Sequence, residues 1–271
     1  MKKDLQIQIA DLSIAGEGCK LSFLRLLRKR YFSFLSRSHP VLFLTLNFKK
    51  SRDYLQTPNV RIIKEKKNGC FLIQRGDDFV GVIDLETGKG HVNIVEDIYS
   101  FDSFLRVLFS LVLIKNQGFL LHSAGIVKDN SAYLFTGPSF SGKSTAVRLS
   151  NNFPILSDEI IAIRKIKNNF LAYSTPFWGF SKFNPGFVRS AQKKRFARIK
   201  GIFFLKKDRR THLQRLILPQ AFRRLLGNIL FFSTDIFLIQ TVMDLVNNFL
   251  ETVPSYELSF LPDKSFWREL P

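Results

Sequence analysis

The sequence predicts an α/β domain preceded by a smaller, β-rich α+β module, and three observations support that prediction. A glycine-rich phosphate-loop pattern, Gly137 to Ser144, lies between an apolar strand-like run and a helix-like run. Short apolar segments separated by turn residues occupy the stretch before residue 98. At 271 residues the chain can hold one large domain or two ordinary ones. The expected division is a mixed, β-rich N-terminal module over residues 1–98 and the α/β phosphate-loop domain over residues 99–271. No Pro/Gly/Ser linker marks the junction, so close packing of the two parts is expected, and no internal repeat is present.

In the first module, Leu5-Gln6-Ile7-Gln8-Ile9 alternates with period two, as a half-buried strand does. Leu21 to Leu35 mixes Leu and Phe with Arg and Lys and reads as an amphipathic basic helix. Packing on the core with solvated charges is the simpler reading of it, and contact with a membrane surface is the alternative. Cys70–Gln74, Phe79–Asp84 and His91–Val95 read as strands. Arg75-Gly76-Asp77-Asp78 and Glu86-Thr87-Gly88-Lys89-Gly90 turn between them, giving an antiparallel meander. Asp102 to Ile114 reads as a helix capped by Ser100 or Asp102. Phe119–Val127 and Ser131–Thr136 then read as two strands joined by Lys128-Asp129-Asn130.

Composition narrows the class. Hydrophobic residues make up 45% and charged residues 23%, which excludes a disordered chain, and the 29 phenylalanines are expected in the core. No stretch reaches the ~18 apolar residues of a membrane-spanning helix; Phe104 to Ile114 comes nearest and contains Arg106. Met1 to Leu5 is basic but lacks the apolar run of a secretory leader. Cys19 and Cys70 stand alone, without zinc-ligand spacing, so a reduced, cytoplasmic protein without structural metal is expected. The net charge of +19 is spread evenly. Lys/Arg against Asp/Glu number 17 to 11 over residues 1–98, 10 to 4 over 99–190 and 14 to 7 over 191–271. A generally basic surface is the plainer reading; the sharper one is an acidic partner such as a nucleotide, acidic peptide or nucleic acid.

The pattern G-x-x-x-x-G-K-[ST] is complete in Gly137-Pro138-Ser139-Phe140-Ser141-Gly142-Lys143-Ser144, with Thr145 following as the helix begins. Such a loop turns successive backbone N–H groups inward, and the helix after it adds its positive end. Lys143 can neutralise β/γ-phosphate charge, and the Ser144 hydroxyl can complete a Mg²⁺ shell. Phe140 stands where glycine is usual and where the backbone needs positive φ, at a cost of about 1–3 kcal/mol. Its ring could also stack near a nucleotide.

Two further elements flank the loop. His122 lies on the strand before it; alone on an apolar strand, a histidine is more often a satisfied core residue. Asp158 and Glu159 stand at the mouth of the apolar run Ile160–Ile163. A carboxylate at a strand end beside a phosphate loop can hold Mg²⁺ or accept a proton from an attacking hydroxyl; a solvated turn is the plainer reading.

Taken together, Leu121-His122-Ser123-Ala124-Gly125, the loop, and Leu156-Ser157-Asp158-Glu159 resemble the kinase domain of the bacterial HPr kinase/phosphorylase family, and more so its shorter relatives. Gly201–Leu205, Leu230–Ser233 and Val253–Leu258 extend the likeness over about residues 99–271; the first hundred residues show none. The resemblance implies a P-loop kinase domain of HPr-kinase type, using ATP (with GTP left open) and Mg²⁺ to phosphorylate a serine-type hydroxyl of a protein or peptide. It implies Asp158 as the acid/base, His122 beside it tuning its charge, and Glu159 as a second metal acid with Ser144 and Asp158. It also raises homo-oligomer formation, although the oligomeric relatives carry an N-terminal part not matched here. Ser174-Thr175-Pro176-Phe177-Trp178-Gly179-Phe180 resembles a family segment with Glu where Phe180 stands, which puts full activity in question.

A non-catalytic nucleotide-dependent scaffold, favoured by Phe140 and Phe180, and a small-molecule kinase of the same fold are the alternatives. Lys193, Lys194, Arg195, Arg198 and Lys200, then Lys206, Lys207, Arg209 and Arg210, flank Gly201–Leu205. A solvated loop is the simpler reading and an acidic-peptide dock or phosphate clamp the functional one. Nucleic acid is disfavoured, because the aromatics lie in apolar runs rather than as exposed platforms. Ser233 to Leu250 has the spacing of a core-facing helix.

Overall fold

The computed structural model describes residues 4–49, 59–64, 70–179 and 195–271. Among them the chain is mixed α/β, with two sheets and six α-helices. Its contacts divide it into two compact units: residues 1–113 with 231–240, and residues 114–230 with 241–271. The junction expected near residue 98 coincides with the start of a helix, Ile98–Lys115.

The first unit is built on a seven-stranded sheet. Its strands are β1 (Leu5–Ile9), β2 (Leu12–Glu17), β3 (Leu42–Lys49), β4 (Val60–Lys64), β5 (Phe71–Arg75), β6 (Phe79–Asp84) and β7 (Lys89–Val95), in the order β1-β2-β3-β7-β6-β5-β4. The hairpin β1–β2 turns on Ala10 and Asp11, both at positive φ (51° and 60°), the mirror-image turn that matches strand twist. The meander β5–β6–β7 follows the expected strands closely. The rest of the sheet does not: β3 lies parallel to both β2 and β7, so the sheet is mixed.

Helices α1 (Leu21–Arg30) and α2 (Ile98–Lys115) complete this unit's core. The helix expected over 21–35 stops at Arg30 and gives way to a 3-10 turn, Phe32–Phe34. Phe23 of α1 meets Phe48 and Phe101 edge-on at 5.2 and 6.4 Å, while Phe104 meets Phe79 at 5.6 Å. The cap of α2 is neither Ser100 nor Asp102. Asp97 accepts the amides of Tyr99 (2.8 Å) and Ser100 (2.9 Å), so the helix starts a turn earlier than expected. Asp102 instead accepts hydrogen bonds from the buried Tyr31 hydroxyl and from Arg30 (3.0 Å). Burial, then the negative Asp102, push the Tyr31 hydroxyl well above its ordinary pKa.

The second unit holds an eight-stranded sheet. Its strands are β8 (Gly118–Lys128), β9 (Ser131–Thr136), β10 (Ile155–Ser157), β11 (Ile160–Ile166), β12 (Asn169–Tyr173), β13 (Phe196–Lys207), β14 (His212–Arg215) and β15 (Ser255–Phe260). The expected hairpin β8–β9 forms, turning on Asp129 and Asn130 at φ 49° and 60°. Two long strands organise the sheet. β8 pairs with β11 through its first half and with β9 through its second. β13 pairs with β12, β9 and β15 in turn. The pairings β8–β11–β12–β13–β9–β8 therefore close a ring, and β9, β13 and β15 run parallel so that their carboxyl ends lie together.

Helices α3 (Lys143–Leu149), α4 (Leu218–Leu226), α5 (Ile236–Thr252) and α6 (Phe266–Glu269) accompany these strands. Only the later part of α5 is core: Val242, Leu245, Val246, Phe249 and Leu250 are buried, whereas Ile236 and Phe237 are exposed. The expectation of a core-facing face from its first turn is thus corrected, because hydrophobic spacing cannot tell which turns of a helix are covered. Phe203 is fully buried and stacks on Tyr133, Phe135 and Tyr256 at 5.8, 5.5 and 5.4 Å.

Replacing Phe203 by Ala is expected to cost about 3–5 kcal/mol in urea unfolding of the intact chain, since it opens a cavity among three aromatic rings; a loss under about 1 kcal/mol would contradict the packing described. The Tyr31 shift has a defined sign. The stability it represents is present below the unfolded value of about 10 and is lost as pH rises above it, because the unfolded chain gives up a proton that the folded one keeps. Tyr31→Phe should accordingly show a shallower fall in stability on the alkaline side than the parent chain.

Candidate functional site

Strand β9 ends at Thr136 and α3 begins at Lys143, so the six residues between them form a tight loop at the carboxyl ends of three parallel strands. Three loop residues have positive φ: Gly137 (146°), Phe140 (64°) and Gly142 (115°). The last of these is bound by space as well as by angle, since a Cβ on Gly142 would lie 2.9 Å from the Phe260 ring at the end of β15. Phe140 does adopt the positive φ expected of its position, and its side chain is 91% exposed. An L side chain held there stores about 1–3 kcal/mol with no packing to offset it.

Inside the loop lies a charge. Lys143 is only 8% exposed, and its Nζ donates to the carbonyl oxygens of Gly137 (2.6 Å) and Pro138 (3.0 Å). Burial lowers its pKa, and the nearby Glu159 carboxylate pulls the other way. Ser141 is also buried, at 7% exposure. Its amide donates to Pro138 O at 3.2 Å, but its Oγ has no hydrogen-bond partner among the described residues. Such an orphaned buried hydroxyl is rare and costs about 1–3 kcal/mol. Pro138, Ser139 and Ser144 are exposed, and Thr145 is half-buried in the first turn of α3.

The two acids stand between β10 and β11. Asp158 is 5% exposed, and its Oδ1 accepts the Gly179 amide at 2.9 Å. Glu159 is half-buried beside it. Ser157 holds the turn: its Oγ accepts the amides of Glu159 (3.2 Å) and Ile160 (3.3 Å) and donates to Phe177 O (3.1 Å). The segment 175–179 is fixed in turn by Thr175 Oγ1, which donates to Ile160 O at 2.5 Å. His122 is opposite Ile160 in the β8–β11 register, and the next amide, Ser123 N, donates to Glu159 O at 2.9 Å. The His122 carbonyl accepts from Thr136 Oγ1, the last residue before the loop, at 2.9 Å.

The structure thus draws His122, the loop and Asp158–Glu159 into one region through backbone pairing, and it ties Glu159 to Lys143 electrostatically. Sequence reasoning missed the groups that hold these in place, namely Ser157, Thr175, Thr136 and the Gly179 amide. Ser157 carried a usable signal, because a serine two residues before an amide at a strand mouth is a recognised turn-former. Phe180, Lys193 and Lys194 lie outside the described residues. Of the basic stretch, Lys206 reaches Glu257 at 3.5 Å, a carboxylate that Arg224 of α4 also meets at 2.6 Å, so this part is not simply solvated.

A buried lysine with a lowered pKa contributes little to the fold it sits in. Lys143→Met should therefore unfold within about 1 kcal/mol of the parent chain in urea; a loss of several kcal/mol would make Lys143 a structural residue.

No family model matches this chain, and no curated protein matches it in sequence. Among solved structures it is similar to the Hpr(Ser) kinase/phosphatase from Coxiella burnetii, over 52% of this chain and 85% of that one, at 13% sequence identity and a TM-score of 0.30.

Proposed function

We propose that the chain binds a nucleoside triphosphate at Gly137–Thr145 and transfers its γ-phosphoryl group to a serine-type hydroxyl of a protein or peptide. The observation that carries this reading is the buried Lys143 ammonium set beside the orphaned Ser141 hydroxyl in a complete phosphate-loop pattern. A fold rarely keeps a desolvated cation and an unused buried donor together unless an anion meets both. Here Lys143 would exchange two loop carbonyls for phosphate oxygens, and Ser141 Oγ–H would donate to the same group.

The donors present suit Mg²⁺. Ser144 supplies an exposed hydroxyl, and Asp158 and Glu159 supply two carboxylates. A Mg²⁺ ion held by few protein oxygens would complete its shell with water and phosphate. When bound, Mg²⁺ would neutralise phosphate charge.

Asp158 is the proposed acid/base. Its Oδ2 accepts the proton of the acceptor hydroxyl as the new O–P bond forms and the nucleoside diphosphate departs, while the Gly179 amide fixes Oδ1. His122 acts as a positioning residue, joined by its backbone to both the loop and the acid turn. Catalysis would come mainly from alignment and charge neutralisation. The second reading, a nucleotide-binding scaffold without transfer, draws on one observation: Phe140 holds a strained backbone with its ring in solvent.

Incubation with γ-labelled ATP, Mg²⁺ and a serine-containing peptide pool separates these readings. Transfer is expected, falling about 10²–10⁴-fold in Asp158→Asn while nucleotide binding is retained. Lys143→Ala should weaken nucleotide binding about tenfold or more. Binding without transfer to any peptide would favour the scaffold; label on small molecules alone would mark a small-molecule kinase; no binding would end the proposal.

A further inference from the structure

The basic amphipathic helix singled out in the sequence has no part in the proposed reaction. Helix α1 buries Phe23, Leu24 and Leu27. At 3.6 residues per turn, Leu21, Arg25, Leu26 and Lys29 share the opposite face. Leu21 is 64% and Leu26 54% exposed, and the 3-10 turn that ends the helix adds Phe32 at 76%. Scattered surface leucines are ordinary, but three large apolar side chains within twelve residues of one basic element are not.

The charge around them has one sign. Residues 18–49 contain seven Lys/Arg and no Asp or Glu. Three of these bases are engaged locally: Lys20 with Glu96 (2.7 Å), Arg28 with the Asp4 carbonyl (2.9 Å) and Arg30 with Asp102 (3.0 Å). Arg25 and Lys29, on the face that carries Leu21 and Leu26, have no partner among the described residues.

We infer that this face docks on an anionic bilayer surface. Exposed leucine and phenylalanine interspersed with unneutralised cations is the pattern of a helix lying in the headgroup layer, where the apolar groups enter the acyl boundary and the cations meet anionic headgroups. Nucleic acid fits less well, since Leu21 and Leu26 give bases no stacking platform and Phe32 adds only a single ring. No helix among the described residues is long and apolar enough to cross a membrane, so the contact is peripheral. This inference does not depend on the reading of the phosphate loop.

Sedimentation of the full chain with phosphatidylserine/phosphatidylcholine vesicles, against phosphatidylcholine alone, tests it. Binding is expected only with the anionic lipid and should weaken as salt rises. Arg25→Glu with Lys29→Glu should lower the partition about tenfold or more. Leu26→Ser with Phe32→Ser should lower it comparably, and nucleotide binding should be unchanged in both. As a measurement on a chain with near-parental packing, Phe32→Trp should gain a blue-shifted emission on anionic vesicles relative to the parent. Absence of binding, absence of the shift, or binding indifferent to either pair overturns the proposal. So does competition by polyuridylate with the Leu26/Phe32 pair silent, which would make the face a polyanion site.

Discussion

The Lys143 ammonium, held at 2.6 and 3.0 Å by the carbonyls of Gly137 and Pro138, closes the loop between β9 and α3 around a buried positive charge. Burying a charge is unfavourable unless it is paired, and two neutral carbonyls with a nearby Glu159 pair it only in part. The surrounding structure has to supply the difference. Gly137 and Gly142 provide left-handed backbone, and Phe260 and Leu205 wall the loop from beneath. The core under it is dense with rings: Phe135, Phe203, Phe260, Phe266 and Trp267 pack at centroid distances of 5.2 to 5.9 Å. A rigid base of this kind lets a loop keep strain at Phe140 and an unmet donor at Ser141.

The strand ring of the second unit explains how the flanking residues arrive. β8 is long enough to serve two neighbours, so His122 sits at the point where its pairing passes from β11 to β9. A backbone hydrogen bond from Ser123 connects it to the acid turn, and the Thr136 hydroxyl, donating to the His122 carbonyl, connects it to the loop. In the proposed reaction these links matter because a misplacement of about 1 Å costs alignment that side-chain chemistry cannot recover. Asp158 is similarly supported, its Oδ1 accepting the Gly179 amide at 2.9 Å.

The first unit answers a different constraint. Its sheet carries aromatic and aliphatic side chains on one face, and α1 and α2 cover them through Phe23, Phe101 and Phe104. The helix that completes this cover keeps its outer face basic and partly apolar. One element thus serves the core with one side and leaves the other available for an external surface.

Much of this could be read from residue order. Period-two alternation located β1, turn residues between apolar runs located the meander β5–β7, and Asp129-Asn130 located the β8–β9 hairpin, because these signals are local. Phe140 stood out at once, since its loop position demands an angle that its Cβ resists. Local pattern carried no information on the parallel insertion of β3 beside β7 or on the ring closed through β13, both of which depend on pairings far apart in sequence. The cap of α2 went to Asp97 because tertiary structure engaged Asp102 with Tyr31 and Arg30. The sequence by itself determined the loop's chemistry, a lysine, hydroxyls and glycines in fixed spacing. Only the tertiary structure decided that the lysine is buried, that Ser141 Oγ is unmet and that Gly179 holds Asp158, because burial and long-range hydrogen bonds are properties of packed neighbours.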